Sequence, residues 1–82
     1  MLLPSKHINI SESIFGLSAY LLKIIMEEPK NIDQIWYDFN KINNTENFPV
    51  YHSFDNVIIA LDYLYLIGLI DIKNKDKIYA IG

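Results

Sequence analysis

The last third of the chain carries the clearest structural signal. Residues 53–81 read SFDNVIIALDYLYLIGLIDIKNKDKIYAI. Ser53 is a residue type that caps helix N-termini, and Gly68 is the type that accepts the left-handed conformation found where a helix ends. These two residues bracket a helix predicted over 54–67. The two β-branched runs that follow surround a polar loop, and they predict a β-hairpin over 69–81.

Two more helices are predicted upstream of this stretch. Ser11 is a suitable N-cap for a helix over 12–28, which Pro29 ends. Asn31 is a suitable cap for a second helix over 32–43. Three helices followed by a hairpin is the order of a winged helix-turn-helix, mainly α with a small β-hairpin. The alternative is a three-helix bundle with a frayed tail, which the β-rich tail disfavours.

The beginning of the chain has a different pattern. Residues 1–10 read MLLPSKHINI, and the alternation at their end predicts an extended arm. This arm is a candidate third strand of the wing. With 82 residues and no linker, repeat or change of composition, we expect a single domain over 1–82.

Helix periodicity predicts which side chains face the core. In the first helix, one stripe comprises Ile14, Leu17, Leu21, Ile24 and Ile25. Beside it lies a second apolar stripe of Phe15, Ala19, Leu22 and Met26. The second helix has one stripe, which consists of Ile32, Ile35, Trp36, Phe39 and Ile42. Because the first helix is apolar over more than half its circumference, either it is central to the domain or its second stripe meets another chain.

The third helix has an apolar arc and a mixed arc. The residues expected to face the core are Phe54, Val57, Ile58, Leu61, Leu64 and Tyr65. The opposite arc contains the carboxylates Asp55 and Asp62 together with Ile59, Tyr63 and Leu66. Apolar side chains at this spacing are typical of anchors for a partner helix or groove. The predicted partner interface is Ile59, Tyr63, Leu66, Phe15, Leu22 and Met26. The alternative is that the N-terminal arm or the loop at 44–52 covers these side chains.

The charge pattern disfavours nucleic acid as a strong direct ligand. The chain has no arginine and a net charge of −3. Asp55 and Asp62 would face the phosphates if the third helix entered a DNA groove. The remaining DNA-contact candidates are Lys73, Lys75 and Lys77 in the hairpin, which are more typical of a solvated hairpin tip.

No catalytic, cofactor or metal site is predicted, and we expect no enzymatic activity. The chain lacks cysteine and has only three glycines, too few for a glycine-rich phosphate loop. Neither His7 nor His52 has a second ligand at metal-binding spacing, so both are expected to be surface or loop residues. No apolar run is long enough to span a bilayer and no secretory signal precedes the domain, so a cytoplasmic protein with no membrane contact is expected.

Three segments together resemble a known family. They are Leu2-Leu3-Pro4-Ser5-Lys6-His7-Ile8, the helix from Ser11 to Met26, and the pattern Ser53-Phe54-Asp55…Ala60-Leu61-Asp62…Leu64-Tyr65…Gly68. This chain resembles the small middle components of bacterial ABC-three component systems over nearly its whole length.

The resemblance implies a non-enzymatic subunit that bridges or regulates two partners. These are a chromosome-maintenance-like ABC ATPase and an effector protein encoded in the same operon, in systems that act against phages and other foreign DNA. A winged-helix DNA-binding transcriptional regulator is the alternative function. A homodimer through the first helix or the hairpin is compatible with either.

Overall fold

A computed structural model describes residues 14–74 and 76–82. The elements are α1 (Ile14–Glu27), α2 (Ile32–Asn40), α3 (Phe54–Leu66), β1 (Ile70–Lys73) and β2 (Lys77–Ala80). Three helices and a C-terminal antiparallel hairpin make the chain mainly helical, consistent with a winged-helix-like fold, as the sequence predicts. The arm expected over 1–10, the first two residues of the predicted first helix, and Lys75 lie outside the described residues.

α2 begins at a complete capping box and ends earlier than predicted. The Asn31 side chain accepts the backbone N–H of Gln34 at 2.8 Å, and the Gln34 side chain accepts the N–H of Asn31 at 2.9 Å. The helix ends at Asn40, three residues before the predicted end at 43. Beyond Asn40 the chain turns tightly: the N–H groups of Ile42 and Asn43 both donate to the Phe39 carbonyl, and Asn44 lies in the left-handed region at φ 61°. The asparagine-rich loop therefore starts one turn sooner than the apolar periodicity indicates.

α3 has the caps that its sequence predicts. At its start the Ser53 hydroxyl accepts the N–H of Asn56 at 3.2 Å. At its end the N–H of Leu69 donates to the Leu64 carbonyl at 2.9 Å, and the N–H of Gly68 donates to Tyr65 at 3.1 Å. Gly68 has a φ of 83°, which completes a Schellman motif. This motif turns the chain directly from α3 into β1.

The hairpin is anchored to the helices by one further backbone pair. β1 and β2 are antiparallel, with Ile72 opposite Ile78 in the register. On the outer edge of β2, Lys30 and Ile78 exchange two backbone hydrogen bonds of 3.0 and 2.8 Å. Lys30 thus pairs with β2 as a third strand would, but over one residue only. Its buried ammonium lies 3.4 Å from Glu28 and 3.8 Å from Asp38.

The core draws on all five elements and on the loop before α3. Its buried apolar members are Leu17, Leu21, Ile24, Ile25, Ile35, Phe39, Phe48, Val57, Ala60, Leu61, Leu64, Ile70 and Ile78. The first stripe of α1 is inside, as predicted, with Ile14 only partly buried. In α3, however, Phe54 and Tyr65 were expected in the core and are exposed.

The reason for this difference is the close approach of α1 and α3 at small residues. The Ser18 hydroxyl oxygen lies 3.5 Å from the Ala60 carbonyl oxygen, and both residues are buried. Ala60, which was not among the predicted core residues, therefore faces α1. This rotation moves Phe54 and Tyr65 toward the rim, where the Phe54 ring packs edge-on against Trp36 with 5.5 Å between centroids.

Candidate protein-binding surfaces

The stripe predicted on α3 is exposed in the structure. Ile59, Tyr63 and Leu66 are 51%, 38% and 80% exposed. We call these three residues the α3 stripe. The loop at 44–52 does not bury it, and the predicted N-terminal arm lies outside the described residues. Three exposed apolar side chains thus follow one flank of α3, at spacings of four and three residues.

The second stripe of α1 is only partly open. Phe15 and Met26 are each largely exposed, whereas Leu22 packs against the core with part of its side chain. Leu22 and Met26 line a shallow apolar groove of about 400 Å³ with residues at the base of the hairpin, namely Leu69, Ala80, Ile81 and Gly82. The α1 residues therefore form a groove wall at one end and a protruding aromatic ring at the other.

Two of the three lysines proposed to contact DNA, Lys73 and Lys77, have contacts within the protein. The Lys73 ammonium lies 5.1 Å from the centroid of the Tyr79 ring. The Lys77 ammonium lies 3.4 Å from the side-chain oxygen of Gln34. Lys75 lies outside the described residues. Meanwhile Asp55 and Asp62 are exposed on α3, so the helix that would enter a DNA groove presents carboxylates.

His52 lies in a loop, as expected, but its side chain is buried, with only 2% of the residue exposed. Its ring packs against Phe48, with 5.7 Å between centroids, and its Nδ1 lies 3.2 Å from the Asn56 amide nitrogen. The Asn43 side chain is bonded to the backbone of His52 at both N–H and C=O, each at 2.9 Å. These contacts hold the loop against the start of α3, upon which the α3 stripe is displayed.

The phenol of Tyr20 has a pKa above its ordinary value. Burial raises the pKa of the Tyr20 phenol, and the carboxylates of Glu27 and Asp38 add to this effect. The Tyr20 ring packs against Phe48 and Phe39 with centroid distances of 5.7 and 6.1 Å. The raised pKa follows from this packing in the core and is not associated with a cluster of reactive groups.

Other kinds of site have little support in the part of the chain that the structure describes. There, no three histidine or carboxylate side chains are grouped so that they could hold a metal ion. Within the same residues, no buried side-chain nitrogen or oxygen lacks a hydrogen-bond partner. None of the described helices combines the length and apolar character needed to cross a membrane.

The described residues thus form a winged-helix-like domain whose third helix carries exposed carboxylates and exposed apolar side chains. Comparison with family models identifies the family to which the chain belongs. The model of ABC-three component (ABC-3C) system Middle Component 6 matches residues 3–81 of the 82-residue chain. The chain belongs to this family, in agreement with the resemblance noted from its sequence. No curated protein and no solved structure matches the chain.

Proposed function

We propose that this protein is a non-enzymatic adaptor that joins the other components of an ABC-three component system. Family membership supports its place as the middle component. The proposed partners are the ABC-type ATPase and the effector protein encoded in the same operon. The proposed setting is the cytoplasm, in defence against phages or other foreign DNA.

The observation that carries this proposal is the exposure of the α3 stripe. Complete burial of a fully exposed isoleucine or leucine side chain contributes roughly 1.5–3 kcal/mol, and burial of a side chain that is already partly covered contributes in proportion to its exposed area. Three such side chains on one helix face can therefore anchor a partner. The neighbouring carboxylates Asp55 and Asp62 make the same face unfavourable for a nucleic-acid backbone, so a protein partner fits it better.

Co-purification with the operon partners tests the proposal. Ile59→Asp and Tyr63→Asp place a charge in the stripe, and we expect each to abolish capture of the partner while the domain stays folded. Tyr51→Asp is the matched control, because Tyr51 is an exposed tyrosine in the loop before α3. If both stripe variants capture the partners as well as the unmodified protein does, the α3 stripe is not the interface.

The α1 residues support a second contact. Phe15 and Met26 are exposed on one face of α1, and Leu22 joins Met26 in the shallow groove. We propose that this face binds a second component or a second copy of the chain. Phe15→Asp and Met26→Asp test it by co-purification in the same way, with the oligomeric state of the protein alone as the readout for a homodimer.

A DNA-binding regulator is the second candidate function, which the winged-helix-like fold favours. It assigns phosphate contacts to Lys73, Lys75 and Lys77. The Lys73 ammonium already contacts the Tyr79 ring, and the Lys77 ammonium already contacts the Gln34 side chain. The DNA-binding function is therefore less well supported than the adaptor function.

A further inference from the structure

A second apolar groove lies on the other flank of α3, beneath the hairpin. It has a volume of about 260 Å³ and is lined by Ile32, Ile58, Leu61, Asp62, Tyr65, Ile70, Ile72 and Ile78. Ile72 and Tyr65 are each 54% exposed, although both side chains are large and carry apolar surface. We call this feature the wing groove. The sequence pattern did not predict this groove, because it placed Tyr65 in the core and Ile72 in a hairpin with no binding role.

The wing groove continues into a hollow that adds two more carboxylates. This hollow shares Ile32, Ile72 and Ile78 with the groove and is further lined by Asn31, Asp33 and Asp76. Together the two parts have an apolar floor and three carboxylates, on Asp33, Asp62 and Asp76. Among the described residues that line them there is no lysine.

Among the described residues, no lysine forms an ion pair with Asp33, Asp62 or Asp76. In the register of the hairpin, Lys73 and Lys77 lie opposite each other, and side chains alternate between the two faces of a strand. Both are therefore on the face opposite to the one that carries Ile72 and Ile78. The Lys73 ammonium lies over the Tyr79 ring, and the Lys77 ammonium is held by Gln34. The groove therefore keeps a negative rim around an apolar floor.

We propose that the wing groove binds a segment of a partner protein that carries apolar side chains flanked by lysine or arginine. Charge complementarity selects this occupant: an acidic or neutral segment would leave the three carboxylates without partners of opposite charge. A second copy of this chain is a poorer occupant, since its net charge is −3.

The inference rests on the proposed adaptor function and adds a further partner surface to the α3 stripe and the α1 face. At 100° per residue, Ile58 and Tyr65 lie about a third of a turn away from the α3 stripe around the helix axis. One helix thus offers two separate apolar surfaces. An adaptor that holds two proteins at once requires two such surfaces.

The test uses the full chain, labelled with ¹⁵N, and two short amphipathic peptides of the same pattern. One peptide is built of leucine and lysine and the other of leucine and glutamate. We expect the leucine–lysine peptide to shift the amide signals of Ile32, Tyr65 and Ile72, and to bind more weakly as salt is raised. Equal binding of both peptides, or shifts confined to the α3 stripe, would overturn the inference.

Variants that each remove one carboxylate test whether the carboxylates of the wing groove contribute to peptide binding. Asp62→Asn and Asp76→Asn should each weaken binding of the leucine–lysine peptide about two- to fivefold, as expected for exposed charge pairs. Asp55→Asn removes the same charge from α3 but lies outside the groove lining, so it should leave the affinity unchanged. If Asp55→Asn weakens binding as much as the other two do, the attraction is non-specific.

The outcome is independent of the α3 stripe. Ile59→Asp should abolish capture of the operon partner in the previous experiment and leave peptide binding intact. If Ile59→Asp abolishes capture of the partner but the unmodified protein does not bind the leucine–lysine peptide, only the wing-groove inference is contradicted. If the peptide binds the groove but Ile59→Asp still captures the partner, only the α3 stripe as the adaptor interface is contradicted.

Discussion

The side chain of Asn43 forms two hydrogen bonds with the backbone of His52, one at its C=O and one at its N–H. Its amide nitrogen donates to the His52 carbonyl at 2.9 Å, and its oxygen accepts the His52 N–H at 2.9 Å. Both residues are buried, so neither backbone group of His52 has access to bulk water as a substitute. This pair joins the end of the α2 turn to the chain just before Ser53, and it therefore sets where α3 begins.

Replacement of Asn43 should lower the stability of the domain. Asn43→Ala removes the two hydrogen bonds that the Asn43 side chain makes to the buried backbone of His52, at a cost of about 2–3 kcal/mol in the free energy of unfolding. Urea denaturation followed by circular dichroism measures this loss. Asn47→Ala is the control, since Asn47 is exposed in the same loop. A loss for Asn43→Ala no larger than that for the control would contradict this account of the loop.

Gly68 should tolerate asparagine better than alanine. Its φ of 83° is unfavourable for residues with a Cβ, but no heavy atom lies within 4 Å of a Cβ built there. The cost of Gly68→Ala is therefore one of backbone conformation alone, about 1–2 kcal/mol. Gly68→Asn should cost less, because asparagine accepts the left-handed region more readily. Equal losses for the two variants in thermal unfolding would show that the cost has another origin.

Tyr20 should make the domain less stable at alkaline pH. Because burial raises the pKa of the phenol in the folded state, the unfolded chain releases this proton first as the pH rises past about 10. The stability contributed by the neutral phenol is fully present below that pH, and it is lost as the pH rises through the folded-state pKa.

Tyr20→Phe isolates this contribution. The unfolding free energy of the unmodified protein minus that of the variant should be constant from pH 7 to 9. Above about pH 10 this difference should decrease, because the unmodified protein loses stability there and the variant has no phenol at position 20 to ionise. Tyr51→Phe, at an exposed tyrosine, is the matched control. A Tyr20→Phe variant whose stability falls in parallel with that of the unmodified protein would contradict the raised pKa.

The lysines of the hairpin should have little effect on DNA binding. We expect the triple variant Lys73→Gln, Lys75→Gln and Lys77→Gln to bind a fluorescent duplex no differently from the unmodified protein, with both showing weak or no binding at low salt. Fluorescence anisotropy across a salt series checks this. A strong salt-dependent affinity that the triple variant loses would instead support the DNA-binding regulator.

Much of the fold could be predicted because its boundaries are local. Ser53 and Gly68 bracket α3 through hydrogen bonds within a few residues of each, and Asn31 caps α2 in the same way. The hairpin follows from two β-branched runs around a polar loop. Such signals depend on neighbouring residues in the chain, so a single sequence contains them.

The arrangement of the surfaces could be predicted only in part. The α3 stripe is exposed where periodicity placed it, but its role as an interface remains a prediction. Tyr65 and Phe54 were misassigned because α3 is apolar around most of its circumference, and the contact of Ala60 with Ser18 decides its rotation. The burial of His52 depends on Asn43, Phe39 and Phe48, which reach it only through the tertiary fold.

The most direct test of the adaptor proposal is the mass of the protein with its operon's ATPase, measured by light scattering after size-exclusion chromatography. We predict a defined hetero-complex with the unmodified protein, and separate components with the double variant Ile59→Asp, Tyr63→Asp. The same complex with both proteins, or no complex with either, would contradict the claim that the α3 stripe joins this protein to the ATPase.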